Sequence, residues 1–137
     1  MSQITKDDVM KRVKHGGSFV GENLANVDLS GTQLTGIEYS RADLSGAILK
    51  NADLTDANLN DANLSSADLS GAVMQGAYLV GANLTNTKIE GTNLQGAFLG
   101  GSILSGTNFR EANLRRATIG CPNWVVPDQF GNLTSFE

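Results

Sequence analysis

A reaction centre in this chain would have to be assembled from one histidine, one cysteine and fourteen carboxylates. A side-chain nucleophile needs a base within reach and a group to orient that base. His15 and Cys121 stand at opposite ends of the sequence, so no Cys-His or Ser-His-Asp arrangement can be drawn from them. Asp53 and Asp56, with Asp43 close by, are the carboxylates best spaced for acid–base work or for holding calcium. However, Asp28, Asp43, Asp53 and Asp68 all stand immediately before a regularly spaced apolar residue. They are therefore read as parts of a repeat. No zinc-ligand spacing, phosphate-binding glycine string or calcium nonapeptide is present. The expectation is a protein that is no enzyme and has no metal or cofactor.

The elements that position these side chains follow from one periodicity. From Phe19 to Ile119 every fifth residue is Leu, Phe, Tyr, Met or Ile, 21 in succession. A helix rotates about 100° per residue, so a five-residue step scatters these side chains around its axis. A strand alternates faces with period two, and an odd step sends successive residues to opposite sides. The chain must turn a corner once per repeat to direct the series inward. Two residues before the centre stands a small residue, as at Ala42, Ala47, Ala52, Ala57 and Ala62. Two residues after it stands Gly, Asn or Asp at most repeats, as at Gly46, Asn51 and Asp56, types that tolerate tight turns.

The stretches Ala42-Asp43-Leu44-Ser45-Gly46, Ala52-Asp53-Leu54-Thr55-Asp56 and Ala67-Asp68-Leu69-Ser70-Gly71 resemble the A(D/N)LXX motif of the pentapeptide repeat family, over roughly residues 18–121. The resemblance implies an all-β solenoid, a right-handed quadrilateral β-helix with four pentapeptides in each coil and about five coils. Residues one coil apart then stack at about the 4.8 Å strand spacing.

The ends of such an array need covers. Thr5 as N-cap, Asp7 and Asp8 in a first turn, late Lys11, Arg12 and Lys14, and Gly16-Gly17 predict a short helix. His15 answers the dipole at its end, and Val9 and Val13 face Phe19. The expected division is a capping helix at 1–17, the repeat array at 18–121 and a C-terminal cap or tail at 122–137. Trp124 and Phe130 in that tail form either a lid over the last coil or an apolar surface that pairs two chains. Cys121 is read as an unpaired thiol near the lid.

Net charge is −4 and uneven. Residues 18–68 carry Asp43, Asp53, Asp56, Asp61 and Asp68 among their acids, whereas Arg110, Arg115 and Arg116 cluster late. No apolar run is long enough to span a bilayer, the N-terminus lacks a signal-peptide pattern, and a single cysteine argues against a disulfide framework. The cytoplasm is the expected compartment, with no membrane contact and no direct nucleic-acid binding.

One feature departs from the polar exterior. Tyr78 and Phe98 occupy the phase where Asp or Asn is usual, with Val80 beside them and Gly81, Gly100 and Gly101 near. They either stack to stabilise neighbouring coils or form a protein contact. Family resemblance implies a binding scaffold for a partner protein. It also brings a second reading, a DNA mimic acting on type II topoisomerase (gyrase), to which the acidic stretch points. The modest charge and the arginine-bearing end oppose it.

Overall fold

The computed structural model describes residues 3–119, together with the backbone of 125–127 and 133–135. Among these, parallel bridges join residues twenty apart without a break in register, from Asn23↔Asp43 to Phe98↔Thr118. Leu44 donates its N–H to the carbonyl of Asn63 at 2.7 Å, and Asp43 donates to that of Glu22 at 2.9 Å. Each repeat is thereby stitched to the spans before and after it.

Between bridges the chain turns every fifth residue. The N–H of Ala47 reaches the carbonyl of Leu44 at 3.0 Å, closing a turn whose third residue is Gly46. Every residue in that phase from Gly21 to Arg116 has φ between 55° and 71°. This is the left-handed value that a type II turn requires at its third position. Gly, Asn and Asp supply it at most corners, as the sequence indicates. Arg41, Ser66, Glu111 and Arg116 also adopt it, held there by stacking against neighbouring spans.

The fifth-residue series points inward. Leu24, Leu44, Leu64 and Leu84 are buried, as are Tyr39, Met74, Leu99 and Phe109. Leu104 and Leu114, in the last described span, are half-buried against the same core. The small phase is buried as well from Val27 to Ser102, and Thr107 and Ala117 are half-buried. Where Ser or Thr replaces Ala there, its hydroxyl bonds a carbonyl, as Thr92 does to Leu69 at 2.7 Å and Thr87 to Leu64 at 2.8 Å. The substitution thus costs no unsatisfied hydroxyl.

Helix α1 spans Lys6–Lys14. Thr5 Oγ1 accepts the N–H of Asp8, and the Asp8 carboxylate accepts the N–H of Thr5 at 2.9 Å, a reciprocal cap. Val9 is wholly buried in the core, and Ile4, Met10 and Val13 pack against it. The Arg12 guanidinium lies 4.7 Å from the centre of the Phe19 ring. It also donates to the Ser18 carbonyl and pairs with Glu22. Phe19 in turn stacks on Tyr39, ring centres 5.1 Å apart. Among the described residues the Tyr39 hydroxyl has no hydrogen-bond partner, and burial pushes its pKa well up.

Two short antiparallel strands follow the array, β1 (Val125–Pro127) and β2 (Leu133–Ser135), with Val126 opposite Thr134. Cys121, Trp124 and Phe130 lie outside the described residues, so the expectations for lid, thiol and tail pairing rest on positions the structure does not describe.

Candidate interaction surface

A turn every fifth residue and a twenty-residue register give each span four sides. The first side carries 18, 38, 58, 78, 98 and 118. The second carries 23, 43, 63, 83 and 103, the third 28, 48, 68, 88 and 108, and the fourth 33, 53, 73, 93 and 113. Which side chains meet follows directly.

The carboxylates do not converge. Asp43 lies on the second side and Asp53 on the fourth, half a span apart, while Asp68 lies on the third. Asp56 and Asp61 occupy corners with φ 58° and flank the first side. The motif aspartates have a local task instead. Asp43 Oδ1 accepts the N–H of Ser45 at 3.0 Å and its hydroxyl at 2.6 Å. Asp53 accepts the same pair from Thr55, which holds its carboxyl below the usual carboxylate range. Asp28, bonded to Ser30, is lowered for the same reason. Hydrogen bonds to an ionised carboxylate favour that form, so Asp28 and Asp53 stay charged as they fix their corners. The sequence signal is Asp or Asn followed two residues later by Ser or Thr. Among the described residues no three of His, Cys, Asp and Glu gather as a metal site, and no helix is long and apolar enough to cross a membrane.

Arg110, Arg115 and Arg116 are exposed, but they spread over the third side, the fourth side and the corner leading to the first. His15 is exposed at the end of α1, beside an open groove shared with Gln3, Asp8 and Lys11.

On the first side the structure brings Tyr78 and Phe98 together. Their rings stack with centres 5.0 Å apart and planes within 7°. The pair stays open to solvent: Tyr78 is 42% exposed, Phe98 39% and Val80, beside Tyr78, 45%. The other exposed apolar side chains in this array, Val20, Ile48 and Ile103, are separated from this group by spans or corners. A tyrosine at 78 cannot accept the Val80 N–H as an Asn or Asp there would. Asn60, one span earlier, does so through its Oδ1 at 2.9 Å. That compensation frees position 78 to carry a ring, and sequence reasoning missed it because its signal, an Asn twenty residues before Val80, appears only once the register is known.

A family model described as pentapeptide repeats matches residues 23–61, 40–76, 62–101 and 95–119, more than half of the chain. Among solved structures, a pentapeptide repeat protein from the Arabidopsis thaliana thylakoid lumen is 35% identical with a TM-score of 0.67, the match covering 69% of this chain and 66% of that one. Rfr23, a pentapeptide repeat protein from the cyanobacterium Cyanothece 51142, is 35% identical with a TM-score of 0.56, covering 70% and 63%. A pentapeptide repeat protein from Nostoc PCC 7120 is 28% identical with a TM-score of 0.56, covering 85% and 78%. The chain spans about two thirds or less of the length of the first two. No protein with a curated description matches it in sequence.

Proposed function

Because the chain belongs to the pentapeptide repeat family, we propose that it acts as a non-catalytic scaffold, a right-handed quadrilateral β-helix of about five coils whose first side docks another protein. The observation that carries this reading is the exposed stack of Tyr78 on Phe98 with Val80 alongside. Fully burying a large apolar side chain contributes about 1.5–3 kcal/mol, and covering the roughly two-fifths of Tyr78, Val80 and Phe98 that stays open gains a corresponding fraction, so a partner that covers this group is favoured. Aromatic side chains are enriched where protein surfaces meet, and the remainder of this side is polar enough to form a rim. The mechanism is positional: a rigid stack holds the rings in fixed orientation, so little conformational freedom is lost when the surface is covered.

Site-specific photo-crosslinking tests it. A photoreactive side chain replacing Val80 on the first side should trap protein, while the same group replacing Ser70 on the third side should not. Equal yields at the two positions, or none at position 80, would overturn the assignment.

The topoisomerase reading has less behind it. Asp43, Asp53 and Asp68 lie on three different sides, and Arg110, Arg115 and Arg116 add positive charge at one end. A surface standing in for DNA needs negative charge continuous along its length.

A further inference from the structure

We propose that the partner covering the first side is a second copy of this chain, packed face to face with its long axis reversed. The proposal rests on reading the Tyr78, Val80 and Phe98 group as a protein contact and names the occupant.

A two-fold interface matches one surface patch with itself. Place the two-fold axis in the plane of the first side, at right angles to the rod and midway between the levels of Tyr78 and Phe98. Positions along the rod then exchange about that midpoint, while positions across the face are kept. Tyr78 meets the partner's Phe98, and Val80 meets the partner's Gly100, a residue with no side chain to obstruct it. At the next level out Asn58 meets the partner's Thr118.

The corner leading into this side supplies the charge test. It carries Asp56, Gly76, Gly96 and Arg116, one per span, and the two charged residues are exposed. Asp56 lies as far before the midpoint as Arg116 lies after it. The reversed packing therefore sets Asp56 against the partner's Arg116 twice, and glycines against glycines between. The alternative with rods parallel sets Asp56 against the partner's Asp61, which occupies the opposite corner of the same span, and like charges oppose it. Both the apolar group and the charge pattern are centred on one axis, and among the described residues the rest of this side places no like charges in opposition.

The apolar group on this side is small beside the roughly 1,200–2,000 Å² buried in a stable complex, so the pair is weak and its equilibrium is read at high protein concentration. Sedimentation velocity over a concentration series on the full chain reads it. The wild type should show a monomer–dimer equilibrium that weakens several-fold as salt rises from about 0.05 to 0.5 M, because exposed pairs are screened. Tyr78→Ser with Phe98→Ser should weaken it about tenfold or more. Asp56→Arg alone and Arg116→Asp alone should each weaken it several-fold, and the double variant should recover most of the loss. This corner already accommodates Arg at position 116, as the opposite one does at position 41, and unchanged thermal melting verifies folding of each variant.

A wild type that stays monomeric near 1 mM overturns the proposal, as does a dimer indifferent to Tyr78→Ser with Phe98→Ser, or a double variant no tighter than the singles. A monomeric wild type that still crosslinks a different protein through position 80 overturns the self-association while leaving the contact reading intact. Failure of both assays removes both.

Discussion

The hydroxyl of Thr55 donates to Asp53 Oδ1 at 2.6 Å while its backbone N–H donates to the same oxygen at 3.0 Å. This pairing explains why acids abundant enough to suggest chemistry are bound up in architecture. Where Asp or Asn precedes the inward residue, as at Asp28, Asp43, Asn58 and Asn63, its side chain holds the residue after it and so holds the corner.

Acid should weaken the fold through these groups. The Thr55 hydroxyl and N–H hold the Asp53 carboxyl below its usual range, and Ser30 does the same for Asp28. A carboxyl lowered in the folded state contributes stability that is fully present above the unfolded value, near pH 4. That contribution is lost as pH falls through the lower folded value, where the unfolded chain binds the proton more readily. Thermal midpoints measured from pH 7 to pH 2 should therefore drop below about pH 4. Asp53→Asn should make the drop shallower at a small cost in neutral stability, because Asn keeps the backbone bond, as Asn58 and Asn63 do in this phase, but lacks the charge. An identical acid limb in that variant would count against the assignment.

Corners should respond asymmetrically to substitution. Gly71 has φ 69°, and a Cβ there would collide with Asn51 Oδ1 on the preceding span. Gly71→Ala should cost about 1–3 kcal/mol from left-handed strain and collision together. Ser66 already bears a side chain at φ 58°, so Ser66→Gly should be neutral or stabilising by up to about 1 kcal/mol. Urea unfolding of both variants checks the pair, and equal losses would contradict the turn assignment.

The hydroxyl of Tyr39 is buried without a partner among the described residues. Leaving a buried polar group unsatisfied costs about 1–3 kcal/mol. Tyr39→Phe keeps the stack on Phe19 and removes the orphan, so it should raise the urea midpoint, by about 1 kcal/mol in stability. A loss of stability would mean that the hydroxyl has a partner.

Much of this was legible in the chain. The five-residue series named the core, and the small residue two before each centre named its filler. Thr5, Asp7 and Asp8 announced α1. Other features were not readable, for physical reasons. Arg41, Ser66, Glu111 and Arg116 have no preference for φ above zero, so stacking, not side-chain type, places them there. Thr87 and Thr92 bond carbonyls 23 residues back, a spacing that acquires meaning only after the span length is known. The surface was half legible: the twenty-residue separation of Tyr78 and Phe98 predicted their stack, but not the part Asn60 plays beneath Val80.

The contact of Arg12 with Phe19 and Glu22 ties α1 to the first span. Arg12 and Glu22 are partly exposed, so Arg12→Ala should cost only about 1 kcal/mol, and Arg12→Lys should recover less than half because it cannot stack its charge flat on the ring. Amide exchange should quicken in residues 19–38 and stay unchanged in residues 59–78. Uniform acceleration along the chain would show that the helix is not a local cover.

The register that brings Tyr78 to Phe98 is most directly tested by scalar coupling across hydrogen bonds in isotope-labelled protein. Leu79 N and the Phe98 carbonyl carbon should be coupled, as should Leu59 N and that of Tyr78, matching N–H···O=C contacts of 2.7 Å. Couplings between residues four apart through this region, or a partner for Leu59 N or Leu79 N other than the residue nineteen positions later, would contradict the winding on which the surface depends.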